Sequence, residues 1–242
     1  MMVVMSRLFT ENFFNLESEE LSSLLPKNEF VWMPLHRLEK YFEDRREYQI
    51  QIPIPPFVHL EDPETIAIGE GTKLEPGVYI QGPCVLGKRC VVRHGAYLRG
   101  GVVCGDDVSI GHGAEVKRSI LLNGAHVAHF DYVGDSILGS HVNLGAGVKC
   151  ANLRLDRREV AIAFEGTLFR TGLFKFGCVI GDGCQIGCNV VLNPGTLVGS
   201  HSMSHPLLNL HGVIPARSRI RGKTKGIEIT PIDTSILEAL RR

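Results

Sequence analysis

From Ile68 onward an aliphatic residue, or a small apolar substitute, returns at every sixth position: Leu74, Ile80, Leu86, Val92, Leu98, Cys104, Ile110 and Val116. Four places after each stands a small or β-branched residue, Thr72, Val78, Cys84, Cys90, Ala96, Val102, Val108 and Ala114, with Gly, Asp, Lys and Arg in the slots between. A hexad period of this kind marks a parallel β-helix. Each hexad supplies a short strand and a turn, three hexads close a triangular coil, and the periodic aliphatic points inward onto its equivalent one coil away. Gly and Asn or Asp suit the backbone angles of the corners. Beyond Val116 the register loosens, resumes through Val127, Val133, Leu138, Leu144 and Cys150, breaks over 153–177, and returns as Ile180, Ile186, Leu192 and Val198. The pattern predicts an all-β chain whose repeats occupy 61–222, with a loop insertion at 153–177.

A stack of coils grows in one dimension and needs caps at its ends. Residues 1–60 read as such a cap. ESEELSSLL and PLHRLEKYFEDRRE carry helical spacing, and IQIPIPP then runs extended because its prolines forbid a helix. TSILEALRR predicts a short helix capped by Thr234 within a tail at 223–242.

Composition narrows the partners. Lys+Arg and Asp+Glu are both 26 in 242 residues, so no general nucleic-acid binder is expected and any basic patch is local. The seven cysteines form an odd set without a C-x-x-C pair, which argues against a secreted disulfide scaffold. MMVVMSRLF is too short for a signal peptide and no apolar run approaches a membrane span, so a cytoplasmic protein is expected. His201 and His205, with Cys178, Cys184 and Cys188 nearby, invite a metal reading. The hexad register assigns Cys178 and Cys184 to packing instead, and no metal is expected.

The chemistry concentrates in HFDYVGDS, HVNLGAG and ANLRLD. These motifs resemble the C-terminal acetyltransferase domain of bifunctional sugar-1-phosphate nucleotidylyltransferases, the UDP-N-acetylglucosamine pyrophosphorylase/glucosamine-1-phosphate acetyltransferase type, over residues 65–200 and nearest to its archaeal-type branch. The resemblance implies a left-handed β-helix of hexapeptide repeats with a small N-terminal helical cap, assembled as a homotrimer with sites between adjacent prisms. It implies His129 as catalytic base and Arg99, Lys117, Tyr132, Asn143, Asn152 and Lys175 as substrate contacts. It places acetyl-CoA, the cosubstrate, at the backbone of Ala146 and Gly147. Where the branch carries two loop lysines this chain has Arg158 and Ala161, and residues 1–60 contain no nucleotidylyltransferase loop.

The residue types fit the implied reaction. An amine attacking a thioester must lose a proton, and an imidazole, which changes charge near neutral pH, is a natural acceptor. Gly-rich backbone presents N–H donors to an oxyanion. Arg99, Lys117, Arg118 and Lys175 are the cations available to a sugar phosphate and to CoA. The expected function is acetyl transfer to an amino-sugar-1-phosphate or nucleotide amino sugar. Two alternatives stay open: a longer-acyl transferase on another UDP-amino sugar, suggested by GAHVAH, and a noncatalytic nucleotide-sugar-binding partner of a separate nucleotidylyltransferase.

Overall fold

A computed structural model describes residues 5–16, 19–223 and 226–231. Among these residues, strands of two or three residues, with two six-residue strands at the C-terminal end of the third sheet, alternate with corners and stack into three sheets of eight, eight and nine strands. The first face begins at His59–Glu61, the second at Ile66–Ile68 and the third at Lys73–Leu74, and strands of successive coils pair in parallel. The periodic residues from Ile68 to Val198 and the small residues between them form one continuous interior. Each fully buried aliphatic chain contributes about 1.5–3 kcal/mol relative to exposure. Shape repetition thus does the work that a single globular core does elsewhere.

The loosened register after Val116 has a local cause. After Tyr97–Arg99, Gly100 and Gly101 together turn the corner from the first face to the second. One coil on, Arg118 alone makes that turn, and then Asp135, with φ of 44° and 48°. Val116 therefore pairs with Val133, and Leu121 with Leu138, one residue short of the regular coil. A left-handed conformation at a non-Gly residue costs about 1–2 kcal/mol. A serine ladder offsets it: Ser119 Oγ accepts from the Ser136 N–H at 3.1 Å, and Ser136 Oγ accepts from the Cys178 N–H at 3.1 Å. The insertion leaves from this same corner after Asn152 and returns at Cys178. Within it, Ala161–Phe164 and Thr167–Arg170 form an antiparallel hairpin.

The N-terminal residues divide between the interior stack and the side of the prism. Of the described N-terminal residues, Ile50, Ile52, Val58 and Leu60 pack on the interior stack, and Ile50 bridges Ile68. The helical part, α1 (Glu19–Ser22) and α2 (Met33–Asp44), belongs to a second cluster along the side of the prism. There Leu8, Phe13, Leu25, Trp32, Leu35 and Leu38 meet outward residues of the second face: Val85, Val103, Ile120, Ile137, Val179 and Leu197. The hairpin closes over the same cluster. Phe30 stacks on Trp32 at 4.6 Å and meets Phe169 edge-on at 5.6 Å, and the His36 ring nitrogen Nε2 lies 2.7 Å from the Thr171 carbonyl. The reason lies in the strands themselves, since IAI, CVL, VVC and CVI are apolar on both sides and their outer face requires a cover. In the tail, Gly226–Pro231 turns back antiparallel on Ser218–Lys223, while the expected TSILEALRR helix lies outside the described residues.

Candidate functional site

The first face is bare, and its register sorts the expected residues. One outward column runs Tyr79, Tyr97, Glu115, Tyr132 and Lys149. The neighbouring column runs Gln81, Arg99, Lys117 and Gly134. Arg99 Nη1 donates to Glu115 Oε1 at 2.6 Å and its guanidinium lies 5.8 Å from the Tyr97 ring centre. Lys117 makes no side-chain hydrogen bond or ion pair among the described residues. Its ammonium is pushed below the usual lysine range, first by burial and then by the positive charges of Lys175, Arg99 and Arg118, with Asp135 opposing. Lys175 comes from the returning limb of the insertion, where it bridges Leu153 rather than sitting in a strand of the helix.

Gly134 is what allows two of these groups to meet. A Cβ there would lie 2.5 Å from Tyr132 Oη and 2.8 Å from Asn152 Nδ2, so Tyr132 and Asn152 converge over a bare backbone. The phenol is held above its ordinary range by burial, then by Asp135 and Glu115, against Arg99 and the Asn152 hydrogen bond. Arg99, Lys117, Tyr132, Asn152 and Lys175 thus share one edge of the first face: three cations, a phenol and an amide, a set suited to an anionic ligand with hydrogen-bonding groups.

The other expected residues lie at the opposite edge. His129 is exposed on the corner leading from the third face, three residues before Tyr132. The Gly147 N–H donates to the His129 carbonyl at 2.8 Å, which places Ala146–Gly147 one coil above it. That amide is consequently engaged, whereas the Ala146 N–H makes no hydrogen bond among the described residues. Asn143 lies around the corner on the third face, between His126 and Gln185 in the ladder. It does not join the Tyr132 group. Below His129, His94 stacks on His112 at 5.5 Å and His112 meets Phe130 edge-on at 5.0 Å.

Two features escaped the sequence reading. Arg118 is no free cation: Nη1 donates to Asp135 Oδ1 at 2.9 Å and Nη2 to the Leu35 carbonyl at 3.0 Å. Asp131 occupies the inward slot that Val78, Ala96, Ala114 and Val148 fill in other coils. It is 2% exposed, its Oδ1 accepts from the Val148 N–H at 2.8 Å, and its Oδ2 has no hydrogen-bond partner. Burial lifts the carboxyl to about 7 against the opposing amides of Val148, Ala128 and Gly147 and the charge of Lys149. The signal was legible as an acid in an aliphatic column. Among the described residues no group of three or more His, Cys, Asp or Glu is placed to hold a metal, and no helix is long and apolar enough to cross a membrane.

Comparison with known proteins adds relatives to this geometry. The family model described as the GMPPB C-terminal domain matches residues 80–204. A bifunctional sugar-1-phosphate nucleotidylyltransferase/acetyltransferase of Sulfurisphaera tokodaii is 39% identical over 92 residues, covering 38% of this chain and 23% of that protein. The bifunctional protein GlmU of Methanococcus vannielii is 44% identical over 89 residues, 37% of this chain and 21% of its own length. The matches therefore span less than a quarter of those relatives. Among solved structures, the UDP-N-acetylglucosamine acyltransferase of Francisella novicida superposes with a TM-score of 0.58 at 18% identity, covering 80% of this chain and 73% of that one. That likeness shows the fold, a left-handed parallel β-helix.

Proposed function

Because the chain belongs to the GMPPB C-terminal-domain family of hexapeptide-repeat, acetyltransferase-like β-helices, we propose that it is an acetyl-CoA-dependent N-acetyltransferase acting on an amino-sugar-1-phosphate or nucleotide amino sugar. The observation that carries this reading is the convergence of Arg99, Lys117 and Lys175 with Tyr132 and Asn152 on one edge of a bare face, on the coil that also carries His129. In the reaction the substrate amine attacks the thioester carbonyl and His129 accepts the amine proton. The tetrahedral intermediate then collapses, the C–S bond breaks, and the CoA thiolate leaves and is protonated. The free Ala146 amide is the donor available to the oxyanion, a role worth about 3–4 kcal/mol in other acyl transfers. Lys117 and Lys175 take the sugar phosphate, with Tyr132 and Asn152 orienting the ring.

His129 and the cationic group occupy opposite edges of the first face. This division supports an assembly, a homotrimer in our reading, in which neighbouring prisms complete one another's sites. Seven unpaired cysteines suit the reducing cytoplasm. Thiol release tests the substrate assignment, with acetyl-CoA and a longer acyl-CoA each offered glucosamine-1-phosphate and UDP-glucosamine. Release from acetyl-CoA with one of these sugars is expected. Release confined to the longer acyl chain shifts the assignment to the alternative transferase, and binding of the sugars without release shifts it to the noncatalytic partner.

A further inference from the structure

Residues 5–44 lie outside the region matched by the family model, yet one of their carbonyls reaches the sugar-phosphate edge. The Leu35 carbonyl, in the first turn of α2, accepts from Arg118 Nη2 at 3.0 Å. Arg118 Nη1 donates to Asp135 Oδ1 at 2.9 Å, and the other carboxylate oxygen accepts from Asn152 Nδ2. Asn152 in turn meets Tyr132 above Gly134. Asp135 is 1% exposed, and these two partners hold its carboxyl group in place. The chain of contacts runs unbroken from the helix to the groups assigned to the substrate.

The charges explain why the link matters. Lys117 feels both Asp135, which attracts it, and Arg118, which repels it. With Arg118 in place Asp135 is neutralised and the Lys117 ammonium stays available to an anion. Without Arg118 the buried carboxylate is left to attract Lys117 and to bind Asn152 more tightly, which draws both from the site. An arginine is needed because its planar fork serves the carboxylate and the Leu35 carbonyl together, which a lysine cannot do in the same geometry. The seat of the helix depends on the contact of His36 with Thr171 together with the burial of Leu35 in the covered face.

We propose that α2 is a positioning element for the sugar-phosphate site, acting through Arg118 and Asp135 on Lys117, Asn152 and Tyr132, so that docking of the N-terminal segment sets substrate affinity. The inference rests on the acetyltransferase reading of that site. Its test is calorimetric binding of glucosamine-1-phosphate to the full chain, with kcat and Tm measured beside it. Arg118→Met is expected to weaken binding about tenfold while kcat at saturation changes less than about threefold. Arg118→Lys, which keeps a charge beside Asp135 without reaching Leu35, is expected to restore Tm while binding stays about threefold weak. His36→Ala, which touches no substrate group, is expected to weaken binding by a similar factor and guards against a misfolded Arg118→Met. Wild-type affinity in folded Arg118→Lys and His36→Ala overturns the inference and leaves the acetyltransferase reading standing. A wild type that binds none of the sugar phosphate overturns the site assignment and the inference together.

Discussion

The first and second faces of the prism share one interior and differ entirely outside. Inward, Leu98 and Cys104 are equally buried, as are Val116 and Leu121. Outward, the second face presents Val85, Val103, Ile120, Ile137, Val179 and Leu197, whereas the first presents Tyr97, Arg99, Glu115, Lys117 and Tyr132. The inward residues specify a β-helix and nothing more. The outward ones decide which face is closed by the rest of the chain and which is left for a ligand.

One substitution placed in the same slot on each face separates the two most strongly. Val103 is fully buried beneath the N-terminal segment, and Val191 stands half-buried on the first face. Val103→Asp places an unpaired carboxylate under the cover and is expected to cost about 3–5 kcal/mol, read as Cm in urea. Val191→Asp is expected to cost about 1 kcal/mol or less. Equal losses would mean that the second face is not covered in solution.

A smaller effect separates the interior of the site-bearing corner from the rest. Asp131 rises from 3.8 to about 7 on folding, so the native state holds its proton more tightly than the unfolded chain. Its burden is absent below the unfolded value, grows as pH rises through the interval, and is constant above about 7. Asp131→Asn is therefore expected to match wild type in stability near pH 3.5 and to exceed it by up to about 4 kcal/mol at pH 8. A stability difference that does not change with pH would mean the carboxyl is hydrated or paired.

The smallest expected effect concerns the edge where Tyr132 meets Asn152. Gly134→Ala pushes a methyl group into both, and is expected to raise the sugar KM about tenfold with kcat nearly unchanged and a small drop in Tm, because Asn152 also holds the buried Asp135. An unchanged KM would remove Tyr132 and Asn152 from the substrate contact.

Much of this was legible in the sequence. Six-residue spacing locates the inward column from Ile68 to Val198 because burial against an identical neighbour tolerates little variation. The placement of α2 was not legible. Amphipathic spacing in PLHRLEKYFED shows that a helix needs a surface, and only the outward Val85, Val103 and Ile120, eighteen or seventeen residues apart, show where that surface is. Those residues were hidden among strands read chiefly for their inward period. At the site, the motif residues were readable one by one, but a linear sequence does not say that Asn143 turns onto another face or that the Gly147 amide is already bonded to His129. Arg118 is the clearest case, since a basic residue beside Lys117 reads as an anion ligand until Leu35 and Asp135 are seen to occupy it.

If the bare face carries acetyl transfer with His129 as its base, CoA release from acetyl-CoA with glucosamine-1-phosphate distinguishes wild type from His129→Ala. Loss of about 10²–10⁴-fold in kcat, with sugar binding and Tm retained, is the predicted result. Equal rates in the two proteins would contradict the account.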